Sequence, residues 1–565
     1  MKDKLRIMFN PKTYGHLIKY SAKYRFSIIA ITLISMLISL SGVVSALVTK
    51  NLIDSAINGL TSAAVNYGII LAILLLGGLF ISNFSTIYIA KVRESMKNQL
   101  QLNFLQSIYA KNWLFLHNYK TGDILTRVNG DAANIVEIWI TVFPNILTLL
   151  IQLLTAYVVL SHYDRSLALL AFIIGPITFI PAFIIGKKLK SIQHHIQKCE
   201  SALSSFINES LQNLIVIKAF NLNNDNIEQT DRHQKERRKF VLLKNRTAAY
   251  ANFTLGLGYQ VGFLSALAFG VFRLSTGAIT FGTFTAFLQL VSQIQSPLEG
   301  LSRSIPQVVT SLASVERLEE MKELPDEDKE TATENHEGPA NILIDRIYFE
   351  YSENAPILDN LSLNISRGEK IALVGSSGEG KTTLARALLG LITPQSGSIC
   401  ITFSDNSVIP VTSATRKYFS YVPQNNALFS GTIEYNLKLV NKYASREDLY
   451  TALTASHAVQ FIAELPSGIY TIVGEKGIGL SEGQIQRICI ARALLHKAPF
   501  LILDEATSAV DTETENSIIQ GLQTYYPETA IIAITHRASI LEICDSVYAL
   551  KDGRLIKSKN GSFSL

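Results

Sequence analysis

Charge is what this chain most lacks. Six stretches in its first three hundred residues contain no Asp, Glu, Lys or Arg: 26–49, 65–90, 138–161, 166–186, 247–272 and 274–298. Each is long enough, at 1.5 Å per residue, to cross a hydrocarbon core of ~30 Å as a helix. One such run could be a buried helix of a large soluble protein; six in succession exclude that reading and predict six membrane spans. Cysteine is scarce too. Cys199, Cys400, Cys489 and Cys544 are scattered without metal-ligand spacing, which excludes a cysteine-built metal site. Basic residues form no dense patch, and a net charge of +5 is small for 565 residues, so nucleic acid is not an expected partner. No small-residue cleavage site follows the first apolar run, so that run is expected to be a span and not a removed leader. No internal repeat is visible.

The charges that are present set the topology. Lys2, Lys4, Arg6, Lys12, Lys19, Lys23 and Arg25 precede the first span against a single acid, Asp3, whereas residues 51–64 hold Asp54 and no base. The positive-inside rule puts the N-terminus in the cytoplasm, and six crossings return the C-terminal half there. All four cysteines then face a reducing interior and are expected to be free, mostly packed thiols. Outer connections are short, as at 161–165 and 273, while the inner ones, 91–137 and 187–246, are long and charged. Residues 65–111 contain no proline and keep a heptad-like apolar pattern, so one helix of about 70 Å is expected, reaching well past the bilayer. The run QKERRK at 234–239 reads as the solvated face of such an extension.

These features predict a membrane domain over 1–320. Residues 321–339, MKELPDEDKETATENHEGP, are acidic and polar and read as a flexible linker. From 340 to 565, short β-type runs alternate with helical ones, the pattern of an α/β domain. Residues 371–374, 418–422, 500–503 and 530–535 read as its buried parallel strands.

The first of those strands runs straight into GSSGEGKT at 375–382, a phosphate cradle. Its glycines, Gly375, Gly378 and Gly380, let the backbone N–H groups of Ser376, Ser377, Glu379 and their neighbours curl around nucleotide phosphates. Lys381 supplies a point charge for the β and γ phosphates, the Thr382 hydroxyl is a Mg²⁺ ligand, and the helix carrying Thr383 aims its positive end at the same anion. The alternative is a glycine turn in another α/β domain, and a second site argues against it. The strand at 500–503 ends in Asp504 and Glu505, a pair suited to holding Mg²⁺ and to polarising the attacking water.

Leu480-Ser481-Glu482-Gly483-Gln484 resembles the LSGGQ signature of ATP-binding cassette (ABC) proteins, and the other cassette elements fall in the family's order. Tyr351 resembles the aromatic platform for adenine. Gln424, in YVPQ, resembles the glutamine that senses Mg²⁺ and the membrane domain. Residues 471–477, TIVGEKG, resemble the TEVGERG-type loop of exporters; SAVD, ending at Asp511, resembles the D-loop; His536 resembles the switch histidine. In the membrane half, 121–127 (TGDILTR) resembles the segment around the first coupling helix, and 208–220 (NESLQNLIVIKAF) the second. The resemblance covers nearly the whole chain. It implies a half-transporter exporter: six transmembrane helices with long cytoplasmic extensions, followed by an α/β P-loop NTPase of the ABC ATPase type, in the cytoplasmic membrane.

The resemblance also implies roles and partners. Glu505, His536 and Gln424 would be catalytic; Thr382, Gln424 and Asp504 would hold Mg²⁺. ATP would sit on Tyr351, residues 375–383 and, across a dimer, on Ser481, Gly483, Gln484 and Asp511 of a second half-transporter. A homodimer is favoured and a heterodimer remains open. Glu482 departs from the signature's first glycine and puts a carboxylate near the partner's γ-phosphate unless it turns away; Ser481 and Gly483 still supply the hydroxyl and backbone contacts, so a functional site is expected. Glu379 replaces a common serine and is expected to face solvent. The family's usual C-terminal helices are not expected, which would weaken contact between nucleotide-free cassettes.

Polar stripes give a hint of cargo. Thr32, Ser35 and Ser39 share one face of the first span, Asn145, Thr148, Gln152 and Thr155 one face of the third, and Thr285, Gln289, Ser292 and Ser296 one face of the sixth. They could be hydrogen bonds between helices or an uncharged polar cavity for an amphipathic peptide, drug-like compound or lipid. No ionisable group lies in the six stretches, which argues against proton or sodium coupling. With no Cys/His protease domain at the N-terminus, a peptide cargo would arrive already processed. An exporter, a lipid flippase and an ATP-gated channel all remain compatible with this architecture.

Overall fold

The computed structural model describes residues 11–163, 165–327, 338–352, 355–424, 428–474, 477 and 479–557. The chain forms two compact units: Met1–Tyr109 with Thr121–Glu323, and Ala110–Lys120 with Leu324–Leu565.

The first unit is helical. A short helix α1 (Pro11–Ser21) precedes α2 (Arg25–Ile57) and α3 (Thr61–Tyr109). With 49 residues and no proline, α3 is about 73 Å long. After the short α4 (Trp113–Leu116), which belongs to the second unit, come α5 (Thr121–Tyr163), α6 (Arg165–Gln212), α7 (Leu214–Ala219), α8 (Asn223–Ser275) and α9 (Phe281–Lys322). The six uncharged stretches fall on the six long helices. Four of these helices (α2, α3, α5 and α8) are long and apolar enough to span a membrane among the described residues. The side chains of most of 166–186 lie outside the description. The sixth stretch needs one correction. Its helix starts at Phe281 and not at 274, because Gly277 takes a left-handed turn and Thr280 caps the new helix by accepting the Thr283 N–H at 3.0 Å.

Small residues let these helices approach. Ala46, Ala156 and Ala266 meet Phe287, Leu290 and Ile294 in a core shared by α2, α5, α8 and α9. On α3, Ile73, Leu76, Phe80, Phe84 and Ile87 recur at helical spacing and are exposed, a face suited to lipid. Polar clamps hold the helix ends. Asp54 of α2 accepts the Gly282 N–H and the Thr280 hydroxyl, each at 2.9 Å, and pairs with Lys50. A side chain at Gly282 would collide with the Lys50 carbonyl, so glycine is required there. At the other end Asp131, buried to 2% exposure, accepts bonds from Ser314 and both arms of Arg317.

The second unit is built on two sheets. The smaller is antiparallel, ordered β2-β1-β4-β5, from β1 (Pro339–Glu350), β2 (Pro356–Ser366), β4 (Ser396–Phe403) and β5 (Val408–Pro410). The larger is ordered β12-β11-β3-β10-β9-β6. It takes β3 (Lys370–Val374), β6 (Phe419–Val422), β9 (Phe500–Asp504), β10 (Ala530–Ile534), β11 (Ser546–Lys551) and β12 (Arg554–Lys557). The four strands expected from sequence, β3, β10, β9 and β6, lie side by side and parallel in it. They are apolar on both faces because both are covered, one by helices and the other by the smaller sheet with the helix carrying Leu384 and Leu388, and β9 and β10 are buried at every residue. A short pair, β7 (Gly431–Thr432) and β8 (Ile472–Val473), lies apart. All four cysteines are free, and burial pushes the Cys544 thiol up to about 12.

The expected linker is ordered at its start. Glu327 donates its N–H to the Ala110 carbonyl, and its carboxylate takes both arms of Arg416 at 2.9 and 3.0 Å. Residues 328–337, the most polar part of the linker, lie outside the description.

Candidate nucleotide site

Strand register gathers the site. Ile534 pairs with Leu373 on one side and Asp504 on the other, and Val422 pairs with Leu503. The C-terminal ends of four parallel strands therefore open onto one crevice, where open α/β sheets bind ligands. Gly375 follows β3, Gln424 follows β6, Glu505 follows β9 and His536 follows β10.

The cradle folds as its glycines require. Gly375, Gly378 and Gly380 have φ of 151°, 90° and 101°, values that L side chains rarely adopt. Lys381 opens α10 (Lys381–Leu388) and is buried; its Nζ donates back to the Gly375 and Ser376 carbonyls, the latter at 2.9 Å. This curls the loop over the lysine and holds the ammonium beneath it. Ser376, Ser377 and Gly378 are exposed. Glu379 does not face solvent as expected. It is half-buried and its carboxylate accepts the Ser376 N–H at 2.9 Å, because a loop of converging N–H groups attracts an anion.

Asp504 is 1% exposed, with Thr382 and Tyr421 donating hydrogen bonds to it, Tyr421 at 3.3 Å. Burial raises its pKa and the two hydrogen bonds oppose that rise; burial and the neighbouring carboxylate likewise push the Tyr421 hydroxyl up. Next to it Glu505 sits at a positive φ of 51°, fixed by its N–H on the Ile534 carbonyl at 2.9 Å. A non-glycine residue held there is strained, a feature that clusters at functional sites. Gln424 Nε2 donates to Glu505 Oε2 at 2.8 Å. His536 is exposed just beyond β10. Tyr351, 44% exposed, stands edge-on to Phe349 at 4.9 Å, and its hydroxyl lies 3.4 Å from Thr383 Oγ1. Thr382, Thr383, Gln424, Asp504, Glu505 and Tyr421 are thus brought together within one chain.

The signature residues are organised elsewhere. Ser481 caps α11 (Glu482–Leu495) in a reciprocal box: its hydroxyl accepts the Gln484 N–H, and the Gln484 side chain accepts the Ser481 N–H. Glu482 is exposed in the first turn of α11, favourable for the helix by itself. A Cβ on Gly483 would lie 2.8 Å from the Ala509 carbonyl, so the helix start is pressed onto the D-loop. Asp511 caps the helix α12 (Thr512–Tyr525), taking the Thr514 N–H at 2.8 Å and its hydroxyl at 2.9 Å. No hydrogen bond joins Ser481, Gly483, Gln484 or Asp511 to the cradle of the same chain among the described residues. Glu475 and Lys476 of the exporter-type loop lie outside the description.

Sequence reasoning missed the residues that hold these pieces. Gln486, 1% exposed, donates to Ser508 Oγ at 2.9 Å and accepts the Ala509 N–H at 3.0 Å. Arg537 donates to the Ser508 and Val510 carbonyls. A buried glutamine two residues past the signature was the available signal for the first; nothing local marks the second.

Residues 28–298 match the ABC transporter transmembrane region, and 358–508 match the ABC transporter family. An ATP-dependent lipid A-core flippase of Desulfotalea psychrophila is 31% identical over 494 residues, covering 86% of this chain and 85% of that one. A Staphylococcus aureus protein named for multidrug export is 28% identical, covering 81% and 79%. A bacterial Atm1-family ABC exporter solved with ATP bound superposes with a TM-score of 0.81 at 23% identity, over 95% of this chain and 94% of that one, a likeness of fold. The chain belongs to the ATP-binding cassette transporter family, as a half-transporter exporter whose second unit hydrolyses ATP to drive transport through the first.

Proposed function

We propose that this chain dimerises, as a homodimer in the first instance, and exports an amphipathic peptide or drug-like cargo across the cytoplasmic membrane by alternating access. The cargo class is carried by one observation: the spans offer neutral hydrogen-bonding groups and no charge. Thr32, Thr155, Thr285 and Ser292 donate to carbonyls of their own helices. Ser39 Oγ, Thr148 Oγ1 and Gln293 Oε1 are buried with no hydrogen-bond partner among the described residues. A buried polar atom without a partner is costly, and a neutral polar group on a cargo would reach these three only once the helices part. The side chain of Ser296 lies outside the description.

In this reading Ser481 and Gly483 of one chain close over ATP held by residues 375–383 and Tyr351 of the other. Closure favours the outward-facing state and hydrolysis releases it. Glu505 polarises the attacking water, Gln424 orients Glu505, and His536 meets the γ-phosphate. The donor set of Thr382 hydroxyl, buried Asp504 carboxylate and Gln424 amide oxygen fits Mg²⁺, which takes hard oxygen ligands. When bound, that ion neutralises charge on the β and γ phosphates. Glu505→Gln is expected to lower steady-state ATP hydrolysis by about 10²-fold or more; unchanged hydrolysis would remove the assigned base.

A lipid flippase is the second reading, favoured by the lipid A-core flippase similarity. An ATPase screen in nanodiscs against peptides, drugs and lipids separates the two. Stimulation by a peptide or drug with matching vesicle transport supports export of that cargo. Lipid-stimulated hydrolysis with labelled-lipid translocation supports the flippase, and passive flux without hydrolysis would replace both by a channel.

A further inference from the structure

Glu515, in the first turn of α12, is a carboxylate buried to 1% exposure. Three donors converge on it. The Thr507 hydroxyl donates to Oε1 at 2.6 Å and the Ser539 hydroxyl donates to Oε2. Arg537 Nη1 lies 3.7 Å from the same Oε2. An ionised carboxylate only accepts, so it suits a ring of donors, whereas an amide would turn an N–H toward one of them. Burying a carboxylate is costly unless it is both paired and hydrogen-bonded, and here it is both.

The three donors come from two loops. Thr507 belongs to the turn after Glu505, where the Ser508 N–H donates to the Glu505 carbonyl and the Val510 N–H to the Thr507 carbonyl, each at 3.1 Å. Arg537 and Ser539 follow His536 at the end of the neighbouring strand β10. Thr535, just before His536, is buried, and its Oγ1 accepts the Arg537 N–H at 3.0 Å. Arg537 also reaches across to the Ser508 and Val510 carbonyls at 2.6 and 2.7 Å. The His536 ring is exposed and makes no hydrogen bond among the described residues. Its aim is therefore set by the residues on either side of it.

We propose that Glu515 is a positioning residue that holds His536 at a fixed offset from Glu505, by tying the loop after β10 to the loop after β9. Without the carboxylate, Ser539 loses its anchor and Arg537 its countercharge, so the segment carrying His536 is free to drift. A group misplaced by about 1 Å can cost up to about 10²-fold in rate. The cradle follows β3 and makes none of these contacts, so ATP binding is spared and turnover suffers. The inference deepens the proposed function and rests on His536 as the residue that meets the γ-phosphate.

The full chain in nanodiscs is assayed for kcat, KM for ATP and thermal unfolding. Glu515→Gln keeps the shape and one acceptor; it should lower kcat by about 10-fold while KM stays within about 2-fold. Hydrogen exchange should speed up over residues 535–540 and stay unchanged over 375–383. Ser539→Ala removes one anchor and should show the same split more weakly, which decides the matter if Glu515→Gln fails to fold. In a His536→Ala background, with slow turnover followed by labelled ATP over long incubations, neither change should lower kcat further, because the ring they position is gone. If that background leaves no rate to measure, the exchange and the split between kcat and KM decide. Full kcat in folded Glu515→Gln overturns the proposal, as does a rise in KM that matches the fall in kcat, or an equal loss with and without His536. Unchanged hydrolysis in His536→Ala alone would instead remove the underlying reading of His536, and the proposal with it.

Discussion

Individual side chains decide how the nucleotide site is held together. Asp504, Glu505, Lys381 and Thr382 were legible because their motifs sit at fixed offsets from apolar strands. Tyr421, Gln486 and Arg537 were not, because each acts on residues distant in sequence. Gln486 is the clearest case: it is buried, and both ends of its amide are engaged by the D-loop. Gln486→Leu keeps the volume but strands the Ser508 hydroxyl and the Ala509 N–H. It is expected to destabilise the chain by about 1–3 kcal/mol and to slow hydrolysis, read by thermal unfolding and ATPase rate together. Glu379 shows the opposite lesson. The identity of the residue suggested a solvent-facing side chain, and the local N–H field turned it inward.

Elements were legible where periodicity is strong. Five of the six uncharged stretches lie wholly on long helices and the sixth from Phe281 onward, and the strand before the cradle and the three other parallel strands form where expected. Boundaries moved where a turn intervened, as at Gly277 and Thr280, since lack of charge does not mark where a helix starts. The linker's acidic composition suggested flexibility, whereas at its start Glu327 finds the Arg416 fork and Asp326 finds Lys111. An acidic residue with a bidentate partner is ordered whatever its neighbours. Glu327→Ala should therefore speed limited proteolysis just after Lys322 and cost about 1 kcal/mol, a figure reduced for partial exposure of the pair. Unchanged cleavage would show that the clamp is not what orders this stretch.

At the scale of the whole molecule the proposed dimer divides the site. The cradle and its Mg²⁺-type ligands come together in one chain, while Ser481 and Gly483 are built on the helix α11, committed to capping and to the D-loop. Composite sites across a dimer follow from the proposed closure. Mixing chains carrying Lys381→Ala with chains carrying Gly483→Asp tests this. Each variant alone should be inactive, whereas mixed dimers keep one intact site, so an equal mixture should recover about a quarter of the wild-type sites if chains pair at random. No recovery in verified mixed dimers would mean that each chain completes its own site or that both sites are needed.

The sequence by itself determined the two-part architecture, the nucleotide chemistry and the family, because apolar run length and glycine-punctuated motifs are local properties written in consecutive residues. Only the tertiary structure decided that Ala110–Lys120 joins the nucleotide unit, that Glu515 meets Arg537 and Ser539, and that the linker is clamped at its start. Those contacts pair residues tens to hundreds of positions apart, and a pairing depends on strand register and helix packing, which composition and spacing do not encode.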